Sequence, residues 1–67
     1  MILLIQHKEQ QILIKPEKID LIYITSFGDE ATLNIHADKV VNCFAGKYDE
    51  IVEILERVKS KIRYDYI

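Results

Sequence analysis

From Tyr48 to Ile62 the apolar residues Tyr48, Ile51, Leu55, Val58 and Ile62 recur at steps of three and four, with charge nearly everywhere between them. That spacing predicts an amphipathic helix over about residues 47–63, because a 3.6-residue repeat gathers those side chains into one stripe. Residues 1–45 read differently, as short runs of β-branched and apolar residues separated by polar turns. A set of strands followed by one helix restricts the architecture. The sequence predicts a single α+β domain over residues 1–67: a bent antiparallel sheet of four to five short strands, one C-terminal amphipathic helix packed across it, and a short tail at 64–67.

Ile2 to Ile5 and Ile12 to Ile14 flank the polar turn His7-Lys8-Glu9-Gln10, so residues 2–15 are expected to form a hairpin. Its turn lacks the Asn-Gly that would fix its type and register. Pro16 drives Lys15 toward an extended conformation and ends the strand, leaving Pro16-Glu17-Lys18 as a turn or one helical turn. Ile19 to Thr25 resumes as a strand. Ser26-Phe27-Gly28-Asp29-Glu30 is the next turn, with Gly28 free to take a positive φ. Ala31, Leu33 and Ile35 alternate with Thr32, Asn34 and His36, the period of a strand with one wet face. After Ala37-Asp38-Lys39, residues Val40 to Phe44 make the last strand. Gly46 is the expected N-cap of the helix, with Asp49 placed to reach back to its free N–H groups. Acidic residues crowd the first half of the helix and basic residues the second. That order complements the helix dipole and permits the pairs Glu53–Arg57 and Glu56–Lys59.

The apolar residues exceed what one helix can cover. The first three strands carry apolar side chains on both faces, and Val52 and Ile54 flank the main helical stripe. Burial of the second sheet face requires either closure into a small barrel or packing against another chain. A homodimer is the expectation, with an interface drawn from Ile2, Leu4 and Leu13 of the hairpin, Val52 and Ile54 of the helix, and Tyr64, Tyr66 and Ile67 of the tail.

Size points the same way. The chain has 67 residues and one cysteine, Cys43. A domain so small buries only about 60% of its unfolded surface and commonly needs a disulfide, a metal or self-association. One cysteine rules out an internal disulfide and argues against a cysteine-based zinc site. The N-terminal apolar run is too short for a signal peptide, and no run reaches membrane-spanning length. No membrane insertion and a cytoplasmic location are therefore expected.

Candidate chemistry is sparse. His36, Asp38 and Cys43 do not match a zinc-binding spacing, so no metal is expected. Cys43 reads as a small core residue, and Tyr23, Phe27, Phe44 and Tyr48 as core aromatics. No glycine-rich phosphate loop or nucleophile elbow occurs. Neither catalytic residues nor a cofactor are assigned, and the chain is expected not to be an enzyme. The formal net charge of −2 disfavours a general nucleic-acid binder, although Lys47, Arg57, Lys61 and Arg63 supply a local basic set. The expected function is a small protein-interaction or regulatory module; a nucleic-acid-binding regulatory domain is the alternative.

Ile14-Lys15-Pro16-Glu17-Lys18-Ile19-Asp20-Leu21-Ile22 resembles the Leu-Asn-x-x-x-Ile-x-x-Ile segment of the short FlbD-like bacterial proteins. Leu33 to Lys39 looks like their next strand and turn, and Asp49-Glu50-Ile51-Val52 like their helix start. Lys8-Glu9, Asp38 and Gly46 stand where that family usually has Asn-Gly, Gly and a capping Ser. The resemblance implies a sheet followed by a C-terminal helix and a link to bacterial flagellar motility; a bacterial or phage source is the expectation. It carries over no catalytic residue. The same cadence also resembles part of the LytTR-type DNA-binding domains, which are longer and more basic.

Overall fold

The computed structural model describes residues 2–62. Five antiparallel strands precede one helix: β1 (Leu3–His7), β2 (Gln10–Ile14), β3 (Ile19–Phe27), β4 (Glu30–Ala37), β5 (Val40–Lys47) and α1 (Tyr48–Lys59). This is the expected α+β order. The strands form two sheets, a β1–β2 hairpin and a three-stranded β3–β4–β5 meander with β4 in the centre. The division falls at Pro16. Its ring has no N–H to give to a ladder, and Pro16–Lys18 forms one 3-10 turn closed by Lys18 N–H donating to Lys15 O at 2.9 Å.

Each ladder closes through a two-residue turn. The last pairs are His7 with Gln10, Phe27 with Glu30, and Ala37 with Val40. The strands therefore run further than their composition suggests, β3 through Phe27 and β5 through Lys47. Such turns demand positive φ, found at Lys8 (56°), Gly28 (63°), Asp38 (54°) and Lys39 (67°). Only Gly28 adopts it without a Cβ penalty. A side chain in this region costs roughly 1–2 kcal/mol, so Lys39 is a strained position. Lys39→Gly creates the Asp-Gly that this turn favours and should stabilise the chain by about 0.5–1 kcal/mol. A thermal melt should show its midpoint raised by several degrees.

Turn length sets the register, and the register decides which face is core. Ala31, Leu33, Ile35 and Ala37 of β4 are all buried, opposite Phe44 and Gly46 of β5. Ile22 and Ile24 of β3 share that face. A shift in the β3–β4 register between Ile19 and Leu21 brings Ile19 onto it as well. On this face lies α1, with Ile51, Ile54 and Val58 buried and Leu55 and Ile62 partly so. The hairpin contributes Ile5 and Ile14, supported by Leu3 and Ile12.

The helix is phased differently from the expected stripe. At about 100° per residue, Ile54 lies roughly 40° from the centre of the buried arc and Tyr48 roughly 80° from it. Ile54 is core, while Tyr48 is 47% exposed. Gly46 is not the N-cap. It lies within β5, and Lys47 caps the helix with extended φ and ψ and no side-chain hydrogen bond. The first helical N–H, that of Tyr48, instead donates to Asp29 O in the β3–β4 turn at 3.0 Å, so a tertiary bond does what a capping side chain would do. At the other end Ser60 Oγ donates to Arg57 O, and Lys61 and Ile62 donate to carbonyls three residues back, tightening the chain out of the α-helix. The pair Glu53–Arg57 forms at 3.8 Å; Glu56–Lys59 is not among the ion pairs of the described residues.

Candidate functional site

Two groups of apolar side chains stay outside the core. The larger occupies the face of β3–β4–β5 opposite the helix. Side chains alternate along a strand, so the same register that buries Leu33 and Ile35 turns their neighbours outward. The rows across this face are Leu21–His36–Val41, Tyr23–Asn34–Cys43, Thr25–Thr32–Ala45 and Phe27–Glu30–Lys47. Leu21, Tyr23, Val41, Cys43 and Ala45 are exposed, and Phe27 is 91% exposed. No layer of the described chain lies over them.

Down the middle of the face runs a narrow polar seam on β4. Asn34 is nearly enclosed by its neighbours. Its Nδ2 donates to Thr25 Oγ1 and to Thr32 O, and its Oδ1 accepts from Cys43 Sγ at 3.3 Å. The ring of His36 stacks on Tyr23 with centroids 5.6 Å apart. Its Nε2 is buried without a hydrogen-bond partner among the described residues. The Asn34 bonds pair its amide with polar groups of Thr25, Thr32 and Cys43 and leave the apolar side chains on either side uncovered.

The second group belongs to the hairpin. Leu4 and Leu13 face each other across the ladder and are exposed together with Ile2. An open groove of about 310 Å³ next to them has Leu13 and Val40 as apolar walls and Lys15, Lys18 and Asp38 at its rim.

These positions decide the sequence expectations one by one. Ile2, Leu4 and Leu13 are surface residues. Val52 is half-buried. Ile54 is core and has no side chain to offer a partner, because it sits inside the buried arc of the helix. Tyr64, Tyr66 and Ile67 lie outside the described residues. Of the four aromatics expected in the core, only Phe44 is there; Tyr23 and Phe27 have the outward parity of β3. Cys43 is likewise exposed, not a core cysteine, because it pairs with Asn34 on the outer face. His36 lies one row away, opposite Val41, and Cys43 hydrogen-bonds to Asn34. No group of three metal-ligating side chains converges among the described residues. Lys47 reaches Asp29 and Glu30, and Arg57 reaches Glu53, so both cations face carboxylates of their own chain.

Sequence reasoning missed the clasp between hairpin and meander. The side chains of His7 and Gln10, at the tip of the hairpin, reach the outer edge of β5. His7 Nε2–H donates to Ala45 O at 3.2 Å, and Gln10 Nε2 donates to Cys43 O at 2.8 Å. The carboxylate of Glu50 lies 3.9 Å from the same imidazole nitrogen. Gly46 makes the approach possible: a Cβ there would lie 2.8 Å from His7 Nε2. Gly46→Ala should therefore cost about 1–2 kcal/mol in urea unfolding, and most of that loss should disappear in a His7→Ala background. Equal losses in both backgrounds would place the clash elsewhere.

Comparison with protein-family models, with curated proteins and with solved structures finds no match to this chain. No described helix is long and apolar enough to cross a membrane.

Proposed function

We propose that this chain is a small, non-enzymatic protein-interaction or regulatory module that works as a homo-oligomer in the cytoplasm. The observation that carries the reading is the uncovered apolar face of β3–β4–β5, with Leu21, Tyr23, Phe27 and Val41 exposed on a domain whose helix covers only the opposite side. Large apolar side chains exposed together on one sheet face, on both sides of a polar seam, support an interaction site there. The exposed Ile2, Leu4 and Leu13 support the same reading from the hairpin side. The resemblance of residues 14–22 to the FlbD-like proteins agrees with a bacterial or phage regulator linked to motility.

Light scattering at about 100 μM should return about twice the chain mass of 7.9 kDa. A single-chain mass at that concentration would remove the homo-oligomer from the proposal. The alternative, a nucleic-acid-binding domain, rests on Lys47, Arg57, Lys61 and Arg63. Two of these already face carboxylates, so the expected gel-shift result is no retardation of DNA or RNA even at low salt. Salt-dependent retardation would reverse that preference.

A further inference from the structure

The two edges of the meander are treated differently. The β5 edge is closed by the hairpin, through the His7 and Gln10 bonds to Ala45 O and Cys43 O. The β3 edge has no such cover among the described residues: β3 pairs with β4 alone, and no side chain bonds to its backbone. With nine residues it is the longest strand, rich in Ile, Leu, Tyr, Thr and Phe, with one charge, Asp20, and no proline. Free edges in isolated domains are ordinarily shortened, charged or broken by proline. Here Asp20 and the register shift beside it mark only the start of the strand, and residues 21–27 carry none of those devices.

The ladder also determines which backbone groups are free. A two-residue turn makes Phe27 and Glu30 a hydrogen-bonded pair, so Phe27, Thr25 and Tyr23 spend their N–H and C=O groups on β4. Ile22, Ile24 and Ser26 then point theirs outward. We propose that this edge is a self-pairing site, where β3 of a second copy of the chain docks antiparallel about a two-fold axis at Ile24. The inference rests on the homo-oligomer reading above and names its interface.

A second copy matches the edge in both register and face. A two-fold axis at Ile24 matches the free groups in three hydrogen-bonded pairs: Ile22 with Ser26 of the second copy, Ile24 with its own equivalent, and Ser26 with Ile22 of the second copy. On the outer face the same register sets Leu21 against Phe27 of the second copy and Tyr23 against Thr25. The most exposed aromatic thereby gains an apolar neighbour, beside a hollow of about 180 Å³ lined by Thr25, Ser26 and Phe27. Asp20 falls opposite the Gly28 turn, outside the ladder, so no like charges meet at the axis. The two open faces merge into one platform across both copies.

Ser26→Pro tests the pairing. Its N–H faces outward, so proline removes an intermolecular donor and no bond within the chain. Sedimentation equilibrium should show the dimer dissociation constant raised at least about 30-fold, with an unchanged circular dichroism spectrum. Amide exchange of the unmodified chain supplies a measurement free of substitution: protection at Ile22, Ile24 and Ser26 should rise with concentration. Mixed-label NMR should show contacts between Leu21 of one copy and Phe27 of the other. A dimer unaffected by Ser26→Pro, or one dissolved by Leu13→Glu instead, would overturn the edge and leave the homo-oligomer standing. Tighter dimerisation of a chain ending at Ile62 would overturn it too, assigning the edge to the chain's own tail. A monomer throughout would remove both.

Discussion

A chain carrying Phe44→Ala should be about 3–5 kcal/mol less stable than the unsubstituted chain. Phe44 is fully enclosed, paired across the ladder with the equally enclosed Leu33, in one buried cluster with the helix residues Ile51 and Val58. Truncating a buried phenylalanine costs about 3–5 kcal/mol, part from lost transfer free energy and part from the cavity. At 0.05–0.15 kcal/mol per residue, a chain of this length holds roughly 3–10 kcal/mol in total. The substitution removes a third or more of that. Far-ultraviolet circular dichroism and the dispersion of amide proton shifts report the outcome directly. Phe27→Ala is the paired control, deleting the same ring from an exposed position, and in dilute solution it should change stability by no more than about 0.5 kcal/mol. Reversal of the two results would mean that the sheet buries its other face.

Two neighbouring helix positions should separate just as sharply. Ile54→Asp is expected to abolish folding near neutral pH, since it places a carboxylate with no partner in the buried apolar cluster. An unpaired buried charge costs several kcal/mol even after relaxation. Val52→Asp, at a half-buried position on the flank, should cost about 1 kcal/mol or less and leave the spectrum intact. Urea titration of both variants checks this. Equal losses would show that the helix is rotated from the phase described.

Both contrasts turn on how far periodicity can be read. The order of elements was legible because each has its own repeat: three and four along 51–62, two along 31–35. The hairpin was legible from its polar turn and from Pro16. Phase was not. A strand apolar on both sides, such as Ile19 to Phe27, carries no internal signal of which side faces the core. That is settled by Leu33 and Ile35 across two tight turns, at Gly28-Asp29 and Asp38-Lys39. Neither is an Asn-Gly, so turn length was not legible and the strands were expected to stop short of it. The aromatic parity followed from the same gap, moving Tyr23 and Phe27 from expected core to open face. On the helix, one apolar residue on each side of a stripe is ambiguous by about 40°, enough to exchange Tyr48 for Ile54. The β5 clasp was illegible for another reason. His7 and Gln10 lie 38 and 33 residues from the carbonyls they bind, and no local pattern reports a polar bond over that distance.

The tight turns have a kinetic meaning too. Three antiparallel ladders close through loops of two residues, so their pairing sacrifices little loop entropy and each nucleates from its own neighbours. Two later events then bring distant parts of the chain together, the hairpin clasping β5 through His7 and Gln10 and the helix folding back over β4 and β5. The search for the native state is thus largely the docking of locally nucleated pieces, and the expected folding rate of this mixed domain falls between those of helical bundles and all-β barrels.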